Sequence, residues 1–162
     1  MSMLYNLRFA SNDQISQLII DPDTIEEWLF NEESAVDAKL EKSWHGIHYL
    51  LTGSQWEGKE PYCYLLSGGE TIGDIDVGYG PARALRPDKL KDFNAALSEI
   101  DRAELRKKYD KKSLLSNEIY PSVWNQGSDD DNFDYLYSNF VTLKEFLREG
   151  AQKSYGAIVW LE

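Results

Sequence analysis

Hydrophobic residues alternate near both ends of the chain and recur at helical spacing between them. Met3, Tyr5, Leu7 and Phe9 fall on one side of an extended segment, which predicts a strand. The apolar run at 157–161 predicts a closing strand. Because terminal strands often lie in one sheet, we expect both to belong to the same sheet, although the sequence does not establish that they pair.

Helices are predicted in the first half of the chain. The first follows the N-cap residue Ser11, and the second starts at Pro22, since proline suits the first helical turn. A third is predicted from Leu40 to Thr52, where the residues Leu40, Trp44, Ile47 and Leu51 are three or four apart. Residues 62–66 fit a strand or a helix equally well.

More helices are predicted in the second half. One opens at Pro87, and a basic helix spans residues 102–112. Residues 133–140 indicate another helix, and a capping box formed by Thr142 and Glu145 predicts a separate last one. A short strand is predicted at residues 82–85.

These elements predict an α+β fold. Helices fill the middle of the chain without the regular alternation of strand and helix that builds parallel sheets. We expect a single domain over residues 1–162, with a mixed or antiparallel sheet that includes the terminal strands and packs against several helices.

The charge is strongly negative and unevenly placed. The chain has 162 residues and a net charge of −11. Residues 1–80 hold 14 acidic and 4 basic side chains, whereas residues 81–162 hold 14 and 13. Such a field repels nucleic acid and anionic lipid and would attract a basic protein partner. Plain solubility is the alternative explanation.

Other features predict a cytoplasmic protein that does not enter membranes. Cys63 is the only cysteine, so an internal disulfide is impossible, which fits a reducing compartment. The first residues lack the pattern of a signal peptide, and no apolar run approaches the roughly 20 residues of a membrane span. The oligomeric state is left open.

Several motifs together resemble the YfbM-like family of bacterial proteins, and the resemblance spans nearly the whole chain. They are the N-terminal Met-Leu-Tyr-Asn-Leu-Arg-Phe, Trp44 to Gly53, Gly68-Gly69, Gly78 to Arg83, Glu118 to Pro121, and the segment from Leu143 to Leu161. The resemblance implies a bacterial single-domain α+β protein. It implies no activity, cofactor or catalytic residue, because the family is a domain of unknown function.

The two histidines, His45 and His48, lie three residues apart and share one side of the predicted helix. Such a pair can bind a divalent metal if carboxylates join it, but no His-Glu-x-x-His pattern is present. We expect instead a half-buried, hydrogen-bonded His48 and a solvated His45, without a metal or cofactor.

Five glycines punctuate residues 67–81, which predicts turns or a close approach to the backbone. Tyr79 and Arg83 stand near the end of this loop. Arg83 is expected either to form a structural salt bridge with Glu70 or Asp76 or to clamp an anion in a cleft. The loop lacks the motifs of phosphate-binding loops.

Aromatic residues near the middle of the chain supply the remaining candidates. Tyr120, Pro121 and Trp124 form an aromatic loop, which together with Trp44 and Tyr79 is one candidate pocket lining. The alternative, which we favour, is that Trp124 is a core or lid residue. The basic cluster in residues 102–112 is expected to be a solvated helix face rather than a nucleic-acid site, since Tyr109 is its only aromatic residue.

Two functions follow from these features. The first is a non-enzymatic binding protein whose acidic surface takes a basic partner, as an immunity protein neutralises a basic toxin. The alternative is a small-molecule-binding protein or enzyme that uses the glycine-rich loop. Its candidate ligand-binding residues are Trp44, His48, Tyr79, Arg83, Tyr120 and Trp124. No catalytic motif is found, so we favour a protein without enzymatic activity.

Overall fold

The described residues form a fold that is built on an antiparallel sheet of five strands. The computed structural model describes residues 2–162. The strands are β1 (Tyr5–Ala10), β2 (Ala38–Glu41), β3 (Glu70–Thr71), β4 (Arg83–Leu85) and β5 (Gly156–Leu161). Their order across the sheet is β2-β1-β5-β4-β3. The first and last strands therefore pair at its centre, from Tyr5 opposite Leu161 to Ala10 opposite Gly156.

In residues 2–162, seven α-helices pack around this sheet, and one 3-10 turn, Pro22–Thr24, joins the first two. The helices are α1 (Asn12–Ile20), α2 (Ile25–Phe30), α3 (Trp44–Thr52), α4 (Pro87–Ser98), α5 (Arg102–Lys108), α6 (Lys111–Ser116) and α7 (Asp129–Gln152). The predicted α+β class, with a mixed or antiparallel sheet that includes the terminal strands, is confirmed. The sheet is antiparallel, and the pairing of the two terminal strands, which the sequence left open, is observed.

Apolar cores cover both faces of the sheet, because successive side chains along each strand point to opposite faces. Leu7 and Val159 face a large core formed with α3 to α7, whereas Ile158 and Trp160 face a smaller core under α1 and α2. Helices α1 and α2 therefore lie on one face of the sheet, and Arg83 lies on the opposite face.

Local signals predicted several elements correctly. Ser11 caps α1 with a complete capping box, in which its side chain accepts from the backbone of Gln14 and the Gln14 side chain accepts from the Ser11 N–H. Helix α4 starts at Pro87 as predicted, and Gly53 ends α3 in the left-handed conformation.

Three predicted boundaries were wrong. Leu40 lies in β2, where it is buried beside exposed Lys39, and the helix starts only at Trp44. The basic segment forms two helices, since Tyr109 is extended and Asp110 caps α6 with its side chain. The separate last helix is part of α7, which continues through Thr142 for 24 residues.

Residues 62–66, for which strand and helix were left open, form neither. Consecutive turns run through this segment, with the Ser67 N–H donating to the Cys63 carbonyl oxygen. This turn segment is bonded to Tyr5 of β1 and Arg83 of β4 through its carbonyl oxygens, and Leu65 and Leu66 contribute to the wall of the cleft described below.

Candidate functional site

A cleft of about 240 Å³ lies against the sheet beside β4 and the end of β5. Of the six candidate residues, it brings together Tyr79 and Arg83. The lining residues are Tyr5, Leu65, Leu66, Thr71, Tyr79, Pro81, Arg83, Val159, Trp160 and Leu161. We call this site the Arg83 cleft.

The glycine-rich loop between β3 and β4 positions Tyr79 at the mouth of the Arg83 cleft. One carboxylate oxygen of Asp76 accepts from the N–H groups of Gly78 and Gly80, at 2.8 and 2.9 Å. These two bonds lower the pKa of Asp76. A side chain at position 78 would approach the carbonyl oxygen of Leu161 to 2.5 Å, so only glycine fits this crossing.

Arg83 is fixed by main-chain carbonyls rather than by an acid. Its guanidinium donates to the carbonyl oxygens of Tyr64, Leu65 and Gly68, at 2.8 to 2.9 Å. No carboxylate lies within salt-bridge distance among residues 2–162. The predicted salt bridge was therefore wrong, because Glu70 pairs with Arg86 at 2.5 Å and Asp76 caps its own loop.

Tyr5 is a cleft residue that sequence reasoning missed. Its hydroxyl donates to the Leu65 carbonyl oxygen at 2.6 Å. Burial raises its pKa to about 12, against the opposing charge of Arg83. The alternation along β1 showed that Tyr5 points inward, but its neighbours depend on strand pairing that no local pattern specifies.

His48 is fully buried, not half-buried as expected. Neither ring nitrogen has a hydrogen-bond partner among the described residues. Burial, with smaller contributions from the nearby His45 and Arg83, lowers its pKa to about 4. The Glu57 backbone opposes the shift although it makes no hydrogen bond of normal geometry with the ring. The ring is therefore neutral at pH 7.

His45 is buried too, which corrects the prediction that it is solvated. Its Nε2 donates to the Gln55 carbonyl oxygen at 2.8 Å, and its Nδ1 accepts from the Tyr120 N–H at 2.9 Å. Burial lowers its pKa. Since both nitrogens are occupied, this ring is unsuited to hold a metal, and the described residues contain no cluster of three or more metal-ligating side chains.

Trp44 and Tyr120 belong to an aromatic stack around His45, away from the Arg83 cleft. Trp44 stacks on His45 and Tyr120 with ring centres 5.0 and 5.5 Å away. The Trp44 indole donates to the Met3 carbonyl oxygen, and the Tyr120 hydroxyl accepts from the Met3 N–H. Both aromatic residues thus tie the start of the chain to α3.

Trp124 lies in the main core rather than at a surface. It is 2% exposed, and its indole donates to the Ile119 carbonyl oxygen at 2.8 Å. Its ring packs against Gly46, where an added Cβ would come within 2.6 Å of a Leu136 methyl carbon. The candidate residues are therefore divided between the cleft, the aromatic stack and the core.

A second surface stands out by charge. Residues 11–38, which we call the acidic face, contain eight acidic residues and no Lys, Arg or His. All eight are exposed, and none forms an ion pair within the described chain. They are Asp13, Asp21, Asp23, Glu26, Glu27, Glu32, Glu33 and Asp37.

The acidic face also exposes large apolar side chains and contains a groove. Ile20 is 82% exposed, Phe30 49% and Val36 36%. A groove of about 410 Å³ between α1 and α2 is lined by Gln14, Gln17, Leu18, Thr24, Glu27, Trp28 and Asn31. Glu27 is its only charged lining residue.

Acidic residues of α7 partly neutralise the basic cluster of α5 and α6. Arg102 pairs with Asp134, Arg106 with Asp130 at 3.6 Å and Lys111 with Asp129 at 3.6 Å. These pairs link the cluster to the first turns of α7.

In the part of the chain that the structure describes, no helix is long and apolar enough to cross a membrane.

Comparisons with known proteins agree with this fold. The family described as a domain of unknown function (DUF1877) matches residues 1–160. A crystal structure of a protein of unknown function, YfbM from Escherichia coli, superposes with a TM-score of 0.75 at 22% identity and full coverage of both chains. None of the curated proteins compared with the chain matches it. The fold and the family match together show that the chain belongs to the DUF1877 family of YfbM-like domains of unknown function.

Proposed function

We propose that the chain is a non-enzymatic interaction protein that binds a basic protein partner through its acidic face. The observation that carries this proposal is the combination of eight exposed, unpaired acids with exposed apolar side chains in the same segment of the described chain. Solubility alone would account for the acids, but it gives no reason to expose Ile20 and Phe30 among them.

The two components would serve different stages of binding. Uncompensated negative charge raises the rate at which a basic partner arrives, and this steering weakens as salt increases. Apolar anchors supply affinity once the surfaces meet, since desolvated contacts carry most of the energy of an interface. Ile20, with 82% of its surface exposed, has the most apolar area to bury.

The groove between α1 and α2 suits a long basic side chain from the partner. Glu27, Gln14 and Gln17 contribute polar groups to its lining, and Leu18 and Trp28 contribute apolar walls. A Lys or Arg side chain would bury its methylene stem there and direct its charge toward Glu27.

Affinity capture from an extract of the source cells at low salt tests the proposal. Three baits are compared: the wild-type chain, a face variant with Glu26→Gln, Glu27→Gln and Glu33→Gln, and a control with Glu99→Gln, Glu104→Gln and Glu145→Gln. The control removes the same charge from exposed acids outside the face. We expect wild type and control to retain the same basic protein and the face variant to lose it. Capture of no basic protein, or equal capture by all three, contradicts the proposal.

A specific form of the proposal is an immunity-like role, in which the partner is a basic toxin. Its support is charge complementarity. The identity of the captured protein decides it, together with a growth assay in which the wild-type chain is co-expressed with that protein. Protection that the face variant fails to give is expected, and a non-toxic partner excludes this form while leaving the interaction itself intact.

A further inference from the structure

Arg83 is a cation without a counter-ion at the Arg83 cleft. It is the only charged side chain among the lining residues, and three carbonyl oxygens hold it in place. Carbonyl dipoles satisfy N–H donors but do not neutralise a full charge. In a chain of net charge −11, the two acids that the sequence offers as partners for Arg83 are engaged elsewhere, Glu70 with Arg86 and Asp76 with its own loop.

The surroundings of Arg83 are neutral and partly apolar. Leu65, Leu66 and Val159 form the apolar part of the wall, and Thr71 and Tyr79 bring hydroxyl groups to the outer part. Tyr5 keeps its proton, since burial raises its pKa to about 12, and His48 behind the cleft is uncharged at pH 7. Among residues 2–162, no carboxylate or other anionic side chain therefore pairs with Arg83.

The guanidinium retains donor capacity. Arginine carries five N–H groups, and three of them donate to carbonyl oxygens. The Tyr5 hydroxyl also lies beside the guanidinium, which leaves about one or two N–H groups for another acceptor. Since the carbonyls already fix the side chain, a ligand would lose little side-chain entropy on binding to it.

We propose that the Arg83 cleft binds a small organic carboxylate. The carboxylate pairs with Arg83, and an aliphatic body lies along Leu65, Leu66 and Val159. A volume of about 240 Å³ fits a molecule of a few carbon atoms, and a single cation matches a monoanion better than a phosphate dianion. This site lies across the sheet from the acidic face and does not depend on the proposed protein partner.

Calorimetric titration with isovalerate, isovaleramide and inorganic phosphate tests the proposal. Isovaleramide has nearly the shape of isovalerate without its charge. We expect isovalerate to bind the wild-type chain at least about tenfold more tightly than the amide or phosphate, as expected for a hydrogen bond to a charged group. Equal affinities, no detectable isovalerate binding, or tighter phosphate binding would overturn it.

Three variants locate the binding. Arg83→Gln should abolish the preference for isovalerate over the amide, and Arg106→Gln, which removes the same charge from α5, should preserve it. Thr71→Phe provides a second test in case Arg83→Gln does not fold. Thr71 is exposed on an edge strand, so the variant should fold, and the larger phenylalanine side chain would block the cleft. A folded Thr71→Phe chain that binds isovalerate like the wild type contradicts the proposed location.

Discussion

The buried His48 makes the stability of the fold depend on pH. Its ring is fully buried without a hydrogen-bond partner in the described chain, and its pKa is about 4 compared with 6.5 for an ordinary histidine. Because the unfolded chain binds the proton more tightly, this residue contributes stability above pH 6.5 that is lost as the pH falls through 4. The sequence placed the two histidines on one side of a helix but could not show which partners each ring would find.

Urea unfolding at several pH values should show this contribution. We expect the wild-type free energy of unfolding to fall by at most about 3 kcal/mol from His48 between pH 6.5 and 4. His48→Leu should be as stable as the wild type at pH 7, since an unpaired polar group is removed, and should lose less stability on acidification. An unchanged pH slope in His48→Leu would show that another group causes the loss.

Trp44 is a structural residue at the centre of the aromatic stack. It is 1% exposed and bonded to the Met3 carbonyl oxygen. Trp44→Ala should lower the free energy of unfolding by about 3–5 kcal/mol. Trp56→Ala, at a side chain that is 55% exposed, should cost less than about 1.5 kcal/mol. Equal losses in the two variants, measured by urea unfolding, would contradict the assignment of Trp44 to the core.

Helix α7 shows where element prediction from sequence fails. A Thr-x-x-Glu motif at Thr142 predicts a helix start, yet the chain is already helical there, and the threonine hydroxyl donates back to the Ser138 carbonyl oxygen at 3.3 Å. The N-cap is Ser128, whose side chain accepts from the Asp131 N–H. The packing of Phe140 and Leu143 into the main core favours continuation of the helix over the local motif.

Alanine substitutions at Ser128 and Thr142 should have different effects on the stability of the protein. Ser128→Ala removes a cap and should cost about 1 kcal/mol of stability. Thr142→Ala replaces a β-branched residue inside a helix and should be neutral or stabilising by up to about 0.5 kcal/mol. Thermal and urea unfolding of both variants provide the measurement, and a loss at Thr142 comparable to that at Ser128 would mean that α7 is interrupted there.

Strong local signals predicted β1, α1, α4 and β5, because their periodicity or capping residues are complete within the segment. Strand β2 was missed since it has only four residues, and Leu40 continued the spacing of the following helix. The Arg83 cleft could be predicted only in part. Tyr79 and Arg83 lie close in sequence, whereas Tyr5 and the Leu65 wall reach the cleft through pairing of distant strands.

At the scale of the molecule, the fold separates two surfaces of different charge. The excess of acids in the first half of the sequence becomes a continuous segment over α1 and α2, on one side of the sheet. Arg83 lies on the other side, with the main core. A basic protein and a small carboxylate would therefore bind at sites that do not overlap.

Hydrogen exchange of the chain, free and bound to the basic protein captured from the source extract, tests the central claim most directly. Exposed amides at the ends of α1 and α2 and in residues 31–38 should exchange more slowly in the complex, because the partner excludes water from the acidic face. Exchange at α5 and at the glycine-rich loop should be unchanged. Slowing confined to α5, α7 or the Arg83 cleft, with no change in residues 11–38, would contradict the account.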